Sequence, residues 1–148
     1  MPAVSGLRSC YARVGRLVYF GRMLDKIRLQ AAGKLPADYH DNLGGGFDAR
    51  CCTFLRVIYA DMVERVKQGG ADEEILRWAE QRGGARTDDE CNIWCRFLAK
   101  VGWRDDRSTV LQQRIASYGL TGRSIETFFD LNEYDEGRDP VATKAWLS

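Results

Sequence analysis

Arg22, Asp25, Lys26 and Arg28 set one carboxylate among three cations in a single short stretch. On a helix, Asp25 and Arg28 lie one turn apart, and Arg22 stands three residues before Asp25 and four before Lys26, so all are within pairing reach. At about 100° per residue, Val14, Leu17, Val18, Gly21, Leu24, Ile27 and Ala31 share one half of the helical wheel, with Arg28 near its middle and Asp25 on its flank. Charge aimed into an apolar face implies a buried ion pair or a pocket. In a pocket, Arg22 and Arg28 would grip a carboxylate or phosphate through parallel N–H donors. Asp25 would orient Arg28 and, with Lys26, serve proton transfer. As architecture, Asp25 and Arg28 would pair inside while Arg22 and Lys26 face water.

His40 is the only histidine and the natural proton-transfer candidate, with Asp38, Asp41 and Asp48 close in sequence to orient its ring. One histidine among carboxylates offers no established metal spacing, so no metal is expected. Gly44-Gly45-Gly46 before a helix resembles a phosphate cradle, yet the lysine and hydroxyl of a P-loop are missing and Asp48 at the cap would repel an anion. Asp48 is retained as a wall of the substrate site. Cys91 and Cys95 flank an apolar helical arc, a setting for buried thiols more than for zinc. A Cys51 or Cys52 nucleophile with His40 as base is a further option. Asp130 to Gly137 begins like a calcium loop but puts Tyr134 where an oxygen ligand is needed, which excludes that motif.

The elements that must position these residues read as helices. The first is expected from about Tyr11 to Ala32, stopped by Gly33 and Pro36, followed by a long loop to Gly46 that carries His40. Short helices are expected from Arg50 to about Val57 and from Tyr59 to Gln68. Asp72-Glu73-Glu74 opens another, ending at Gly83-Gly84. Thr87 and Glu90 have capping-box spacing ahead of a helix carrying Ile93, Trp94, Phe97, Leu98 and Val101. Val110, Leu111, Ile115 and Tyr118 define a further amphipathic segment with Arg114 inside its apolar arc, and a last helix should start near Ser124. No stretch shows sustained period-two alternation. The expectation is one all-α domain, a compact bundle of roughly five to seven helices, fraying at about 1–8 and 139–148.

The 148 residues include 22 Lys and Arg against 21 Asp and Glu, with the signs interspersed. That balance argues against a binder driven by phosphate neutralisation, so nucleic acid is not an expected partner. No apolar run approaches the length of a membrane span or of a signal peptide core, which points to a cytoplasmic protein without a membrane partner. Five cysteines without an export signal suit free thiols.

The chain resembles the family catalogued as domain of unknown function 5069. The resemblance is carried by Gly21 to Arg28, Ala31 to Tyr39, Asn42-Leu43-Gly44 and Gly46-Phe47-Asp48, and is extended by Val66 to Gly70, Asp72 to Leu76, Gly102-Trp103 and Asp135 to Arg138. Cys91 and Cys95 stand outside that pattern. The resemblance implies a small stand-alone soluble protein and transfers no activity. From the residues themselves, the expected function is a small enzyme or binder for an anionic organic metabolite, acting by acid/base chemistry of lyase, isomerase or cyclisation type without a cofactor. His40, Asp25 and Lys26 would be catalytic; Arg22, Arg28, Asp48 and Arg114 would hold the anion. The alternative is a non-catalytic interaction module that uses aromatic residues such as Trp103 or Trp146. A homodimer fits either reading.

Overall fold

The computed structural model describes residues 3–143. The expected first helix divides into two elements. Arg13–Val14 (β1) and Leu17–Val18 (β2) pair antiparallel, with Arg13 opposite Val18 and Val14 opposite Leu17. Gly15 and Arg16 form the turn between them, and Gly15 has φ +56°, the sign that two-residue hairpins favour at this position. Val14, Leu17 and Val18 are therefore buried by a hairpin. Strands of two residues are too short for alternation to compete with a helical wheel that the same residues also satisfy.

Helix α1, Phe20–Ala31, begins only after Tyr19. It ends in a left-handed Gly33 (φ +68°), where the Gly33 amide reaches the Gln30 carbonyl at 3.0 Å and the Lys34 amide reaches that of Leu29 at 2.8 Å. This double closure satisfies carbonyls that the helix end would otherwise leave open. A 3-10 helix, Ala37–Asn42, follows Pro36. The rest of the chain supplies α2 (Gly46–Leu55), α3 (Tyr59–Lys67), α4 (Asp72–Gly83), α5 (Asp88–Lys100), α6 (Ser108–Ser117), α7 (Phe128–Asp135) and α8 (Pro140–Thr143).

The described residues are thus mostly helical, with eight α-helices and one 3-10 helix beside the small hairpin. That exceeds the expected five to seven. The surplus consists of the 3-10 helix inside the anticipated loop and the single turn α8. At the other end Leu7 is buried and Arg8 is held in ion pairs, so the segment expected to fray is tied down at least there. Residues 144–148, which include Trp146, lie outside the described residues.

Thr87 and Glu90 form the expected capping box at the start of α5. The buried side of α5 is rotated from the expected one: Cys91, Cys95, Leu98 and Ala99 face inward, while Ile93 and Phe97 are 61% and 50% exposed. The hairpin explains the rotation, because the Val18 amide donates to Cys95 Sγ and the Cys95 thiol donates to the Arg16 carbonyl. Small side chains are needed where a strand lies against a helix.

Two apolar clusters make the core. The larger gathers the hairpin, α1 to α5 and Phe129; the smaller joins Val101, Leu111, Ile115, Ile125, Phe128 and Leu131 around α6 and α7. Phe47 packs against both. Helix α1 runs through the larger cluster and is buried from Phe20 to Ile27, including Arg22, Asp25 and Lys26. A helix buried on every side is ordinarily apolar, so each of these charges must find a partner.

The ends of α2 and α4 touch where Gly83 faces Leu55: a Cβ on Gly83 would lie 1.8 Å from the Leu55 carbonyl oxygen. Alanine gains about 1 kcal/mol in helix propensity over glycine, but the overlap is with backbone and forces the helices apart. Gly83→Ala is expected to lower unfolding stability by about 2 kcal/mol or more in urea titration. A neutral or stabilising result would contradict this packing.

Candidate functional site

Asp25 and Arg28, central to the sequence expectation, belong to an ion network away from the cleft described below. Asp25 accepts from the Arg8 amide (3.0 Å), Arg8 Nε (2.8 Å) and Arg8 Nη2 (3.0 Å). Arg8 Nη1 reaches Asp72 Oδ2 at 2.7 Å, and Arg28 Nη1 reaches Asp72 Oδ1 at 2.8 Å and Asp25 Oδ1 at 3.6 Å. Two arginines and two aspartates thereby tie the chain start, α1 and α4 together. Burial opposes ionisation of Asp72, but hydrogen bonds from Arg8 and Arg28 outweigh it and hold the carboxyl below its ordinary range. With their bonding committed here, Asp25 and Arg28 are corrected from catalytic and anion-binding roles to structural ones.

Arg22 is buried and paired. Its Nη1 and Nη2 meet Glu136 Oε1 and Oε2 at 2.8 and 2.6 Å, a two-point grip, and Nη1 also donates to the Arg8 carbonyl at 2.9 Å. Tyr39 Oη and Arg138 Nη1 complete the shell around Glu136 at 2.7 and 2.6 Å. Burial alone would raise the Glu136 carboxyl; bonds from Arg22, Tyr39 and Arg138 bring it below the ordinary glutamate value of 4.5. Arg22 forms part of a cleft wall, but its charge is already neutralised, which corrects its assignment as an anion ligand.

That cleft has a volume of about 660 Å³ and opens at the seam between the two apolar clusters. Tyr19, Arg22 and Lys26 form one side; Asp38, Tyr39 and Asn42 of the 3-10 helix and Gly45 to Phe47 and Arg50 at the start of α2 form another. Val101, Arg107, Arg114 and Tyr118 around α6 face Phe128, Asn132, Asp135 and Glu136 at α7. The size suits a small organic molecule, and the lining, five aromatic residues among eight charged ones, is more polar than is usual for such sites.

The lining carries five cations, Arg22, Lys26, Arg50, Arg107 and Arg114, against the carboxylates Asp38, Asp135 and Glu136. Arg107 and Arg114 are the informative pair. Among the described residues neither has a carboxylate within ion-pair distance, and each guanidinium lies 5.4 Å from the centre of the Phe128 ring. Seven residues apart, they project from the same side of α6 on successive double turns. Arg107 is the N-cap residue of α6, where a cation opposes the helix dipole, so its placement is not explained by helix stability. Arg114 was legible in the sequence; Arg107 could have been found by the same seven-residue spacing.

Lys26 lies at the floor, only 6% of its side chain exposed. Its Nζ donates to Tyr19 Oη at 2.9 Å and pairs with Asp48 Oδ1 at 2.8 Å, while Tyr19 Oη donates to the same Asp48 oxygen at 2.6 Å. The Gly44 amide donates to Asp48 Oδ2 at 3.1 Å. Asp48 is fully buried beneath the lysine, so it supports the site and cannot touch an anion, a correction to its expected role. Tyr19 has φ +68° and ψ −30°, a conformation that side chains rarely adopt, and is 3% exposed. Burial and the adjacent Asp48 charge push its phenol well above the usual range, so it stays protonated. Nothing in the sequence singled out Tyr19.

His40 is exposed, and its Nε2–H donates to the Leu35 carbonyl at 2.9 Å. In a 3-10 helix residues three apart share a face, so Tyr39 and Asn42 look into the cleft and His40 does not. This corrects its placement as the cleft's proton-transfer group. Burial pushes the Cys52 thiol up to about 12 and that of Cys51 further, which removes both as nucleophiles near neutral pH. No cluster of His, Cys, Asp or Glu among the described residues is arranged to hold a metal, and no helix there is long and apolar enough to cross a membrane.

Two outcomes test these assignments. Arg28 is about one-third exposed, so Arg28→Met should cost at most about 1 kcal/mol, whereas Asp25→Ala, which strips Arg8 of its main partner, should cost about 3 kcal/mol. Urea unfolding measures both. For Glu136, the lowered carboxyl contributes stability that is present above pH 4.5 and is lost as pH falls through its folded value. Glu136→Gln should therefore be about 3 kcal/mol less stable than the parent at pH 7, with the gap narrowing below pH 4.5. A gap that does not change with pH would refute the pairing.

A family model described as Domain of unknown function (DUF5069) matches residues 4–138, which include the Arg8 network, the Lys26 floor and both walls of the cleft. No curated protein and no solved structure matches the chain. With nearly its whole length covered by that model, the chain belongs to the DUF5069 family.

Proposed function

We propose that the protein is a small-molecule enzyme or binder whose ligand is an anionic organic metabolite held in the seam cleft. The observation that carries this reading is the pair Arg107 and Arg114, two cations on a concave wall that close no ion pair among the described residues, although the charge of Arg107 is felt by nearby Asp105. Both are exposed at the rim of the cleft, whereas the more buried arginines Arg8, Arg22 and Arg138 meet carboxylates within the fold. Cation–π contact with the Phe128 ring holds both guanidinium groups beside the wall, and their N–H donors suit a carboxylate or phosphate. Lys26 takes the place of His40 in proton transfer: two of its three N–H bonds are used by Tyr19 and Asp48, and a cleft-bound ligand would take the third. Acid/base chemistry of lyase, isomerase or cyclisation type, without a redox cofactor, suits this arrangement.

A second reading, a non-catalytic interaction module, draws support from Ile93 and Phe97, which stand one turn apart and exposed on α5, and from Trp103, 45% exposed just beyond it. These residues lie outside the cleft lining, so the two readings separate experimentally.

Screening anionic metabolites by calorimetry should yield a ligand whose affinity falls roughly 10- to 100-fold in Arg107→Met and in Arg114→Met, the worth of a hydrogen bond to a charged group. Ile93→Ser should leave that affinity unchanged. Equal affinity in the arginine variants and the parent would sink the anion reading.

A further inference from the structure

Lys26 is the only buried lysine among the described residues; Lys34, Lys67 and Lys100 are exposed. The chain otherwise builds its buried and half-buried ion pairs with arginine, as in Arg8–Asp25, Arg22–Glu136 and Arg138–Glu136. Arginine suits that task, since its planar fork stays charged and matches a carboxylate at two points. At position 26 the buried carboxylate Asp48 is instead met by a primary amine, through one oxygen only. An ammonium can do one thing there that a guanidinium cannot: give up a proton and attack a carbonyl carbon. Lys26 also borders the cleft, and the polar partners of its amine among the described residues are a phenol and a carboxylate.

We propose that Lys26 forms an imine with a carbonyl compound that carries an anionic group. The proposal rests on the reading of the cleft as an anion site, with Arg107 and Arg114 holding the anionic end. The ammonium of Lys26 first passes a proton to Asp48, which neutralises both members of the pair in a dry setting where separated charges are costly. The free amine adds to the carbonyl carbon: the C–N bond forms, the C=O π bond breaks, and a nitrogen proton moves to the oxygen to give a carbinolamine. The C–O bond then breaks and water leaves, taking the proton held by Asp48. Tyr19 Oη touches both Nζ and Asp48 Oδ1 and borders the cleft, so it relays that proton. The product is a protonated imine on Lys26 facing the Asp48 carboxylate, which restores the ion pair. Ammonium plus carbonyl thus becomes iminium plus water, with no oxidant, reductant or further reactant. An iminium at this place withdraws electrons from the adjacent carbon and serves the lyase and isomerase classes named above.

The test treats the unmodified protein with pyridoxal 5′-phosphate, an anionic aldehyde, or with pyridoxal, which lacks the phosphate, then reduces with borohydride and maps the modified peptides. The expected result is modification of Lys26 by the phosphate form at least about 10-fold ahead of Lys34, Lys67 and Lys100, reflecting a bound reactant held beside the amine. In Arg107→Met that lead should shrink, and in Lys26→Arg the label at this position should vanish while the folded spectrum persists. Labelling of Lys26 equal to or below the exposed lysines overturns the imine, even if the phosphate compound raises the melting temperature, which would leave the anion reading standing. Preferential labelling of Lys26 by both aldehydes to the same extent supports the imine and removes the anion anchor. The comparison within the parent protein stands even if Lys26→Arg fails to fold.

Discussion

A helix buried on every side cannot leave a charge without a partner, and α1 carries three such charges in its central turn and a half. Each binds a different part of the chain. Asp25 takes the N-terminal segment through Arg8, Arg22 takes the end of α7 through Glu136, and Lys26 takes the start of α2 through Asp48. The apolar residues between them, Met23, Leu24 and Ile27, fill the main core. Hydrophobic burial and ion pairing are therefore done by the same helix. Removing one partner leaves an uncompensated buried charge, which is far costlier than losing a surface pair.

The three pairs divide into two kinds. Arg22–Glu136 is a bidentate contact surrounded by further donors, and the Asp25 network closes on Arg8, Arg28 and Asp72. Both are saturated. Lys26–Asp48 is built differently: Asp48 is satisfied by Lys26, Tyr19 and the Gly44 amide, while the ammonium meets only two polar partners among the described residues and its residue borders the cleft. The backbone at Tyr19 supports that arrangement: its unusual φ and ψ turn the chain from the hairpin into α1, and its phenol touches both amine and carboxylate. Conformations of this kind cost of order 1–3 kcal/mol and persist where surrounding contacts impose them.

Much of the scaffold was legible in the residues. Thr87 and Glu90 announced α5, Asp72 to Glu74 announced α4, and Gly33 ended α1, because caps and stops act over a few residues. The hairpin was not, since Val14, Leu17 and Val18 satisfy a helical wheel as well as two tiny strands. Of the charges of α1, Asp25 was visible as an anomaly, but Arg28, expected beside it, is about one-third exposed, and Arg22 and Lys26, expected to face water if the pair was architectural, are the ones buried. Arg22 meets Glu136 across 114 residues and Arg8 meets Asp25 across 17, separations that only the assembled fold closes. Of the expected site, Lys26, Arg22 and Arg114 do border the cleft, whereas Asp25, Arg28, His40 and Asp48 do not. His40 failed for a local reason: the loop expected to present it is a 3-10 helix that turns its ring away.

Phe47 belongs to both apolar clusters and also borders the cleft. Its ring meets Tyr19 and Phe129 at 5.5 and 5.3 Å, edge to face, on the side of the larger core. Together with α7, which lends Phe129 to the larger cluster and Phe128 and Leu131 to the smaller, this side chain joins the two clusters and is a surface that any occupant of the seam would press upon. The mouth of the cleft and the mutual seating of the halves are one mechanical quantity. An occupant wedged there works as an internal brace, so tightness of fit and rigidity of the α6–α7 half rise or fall together.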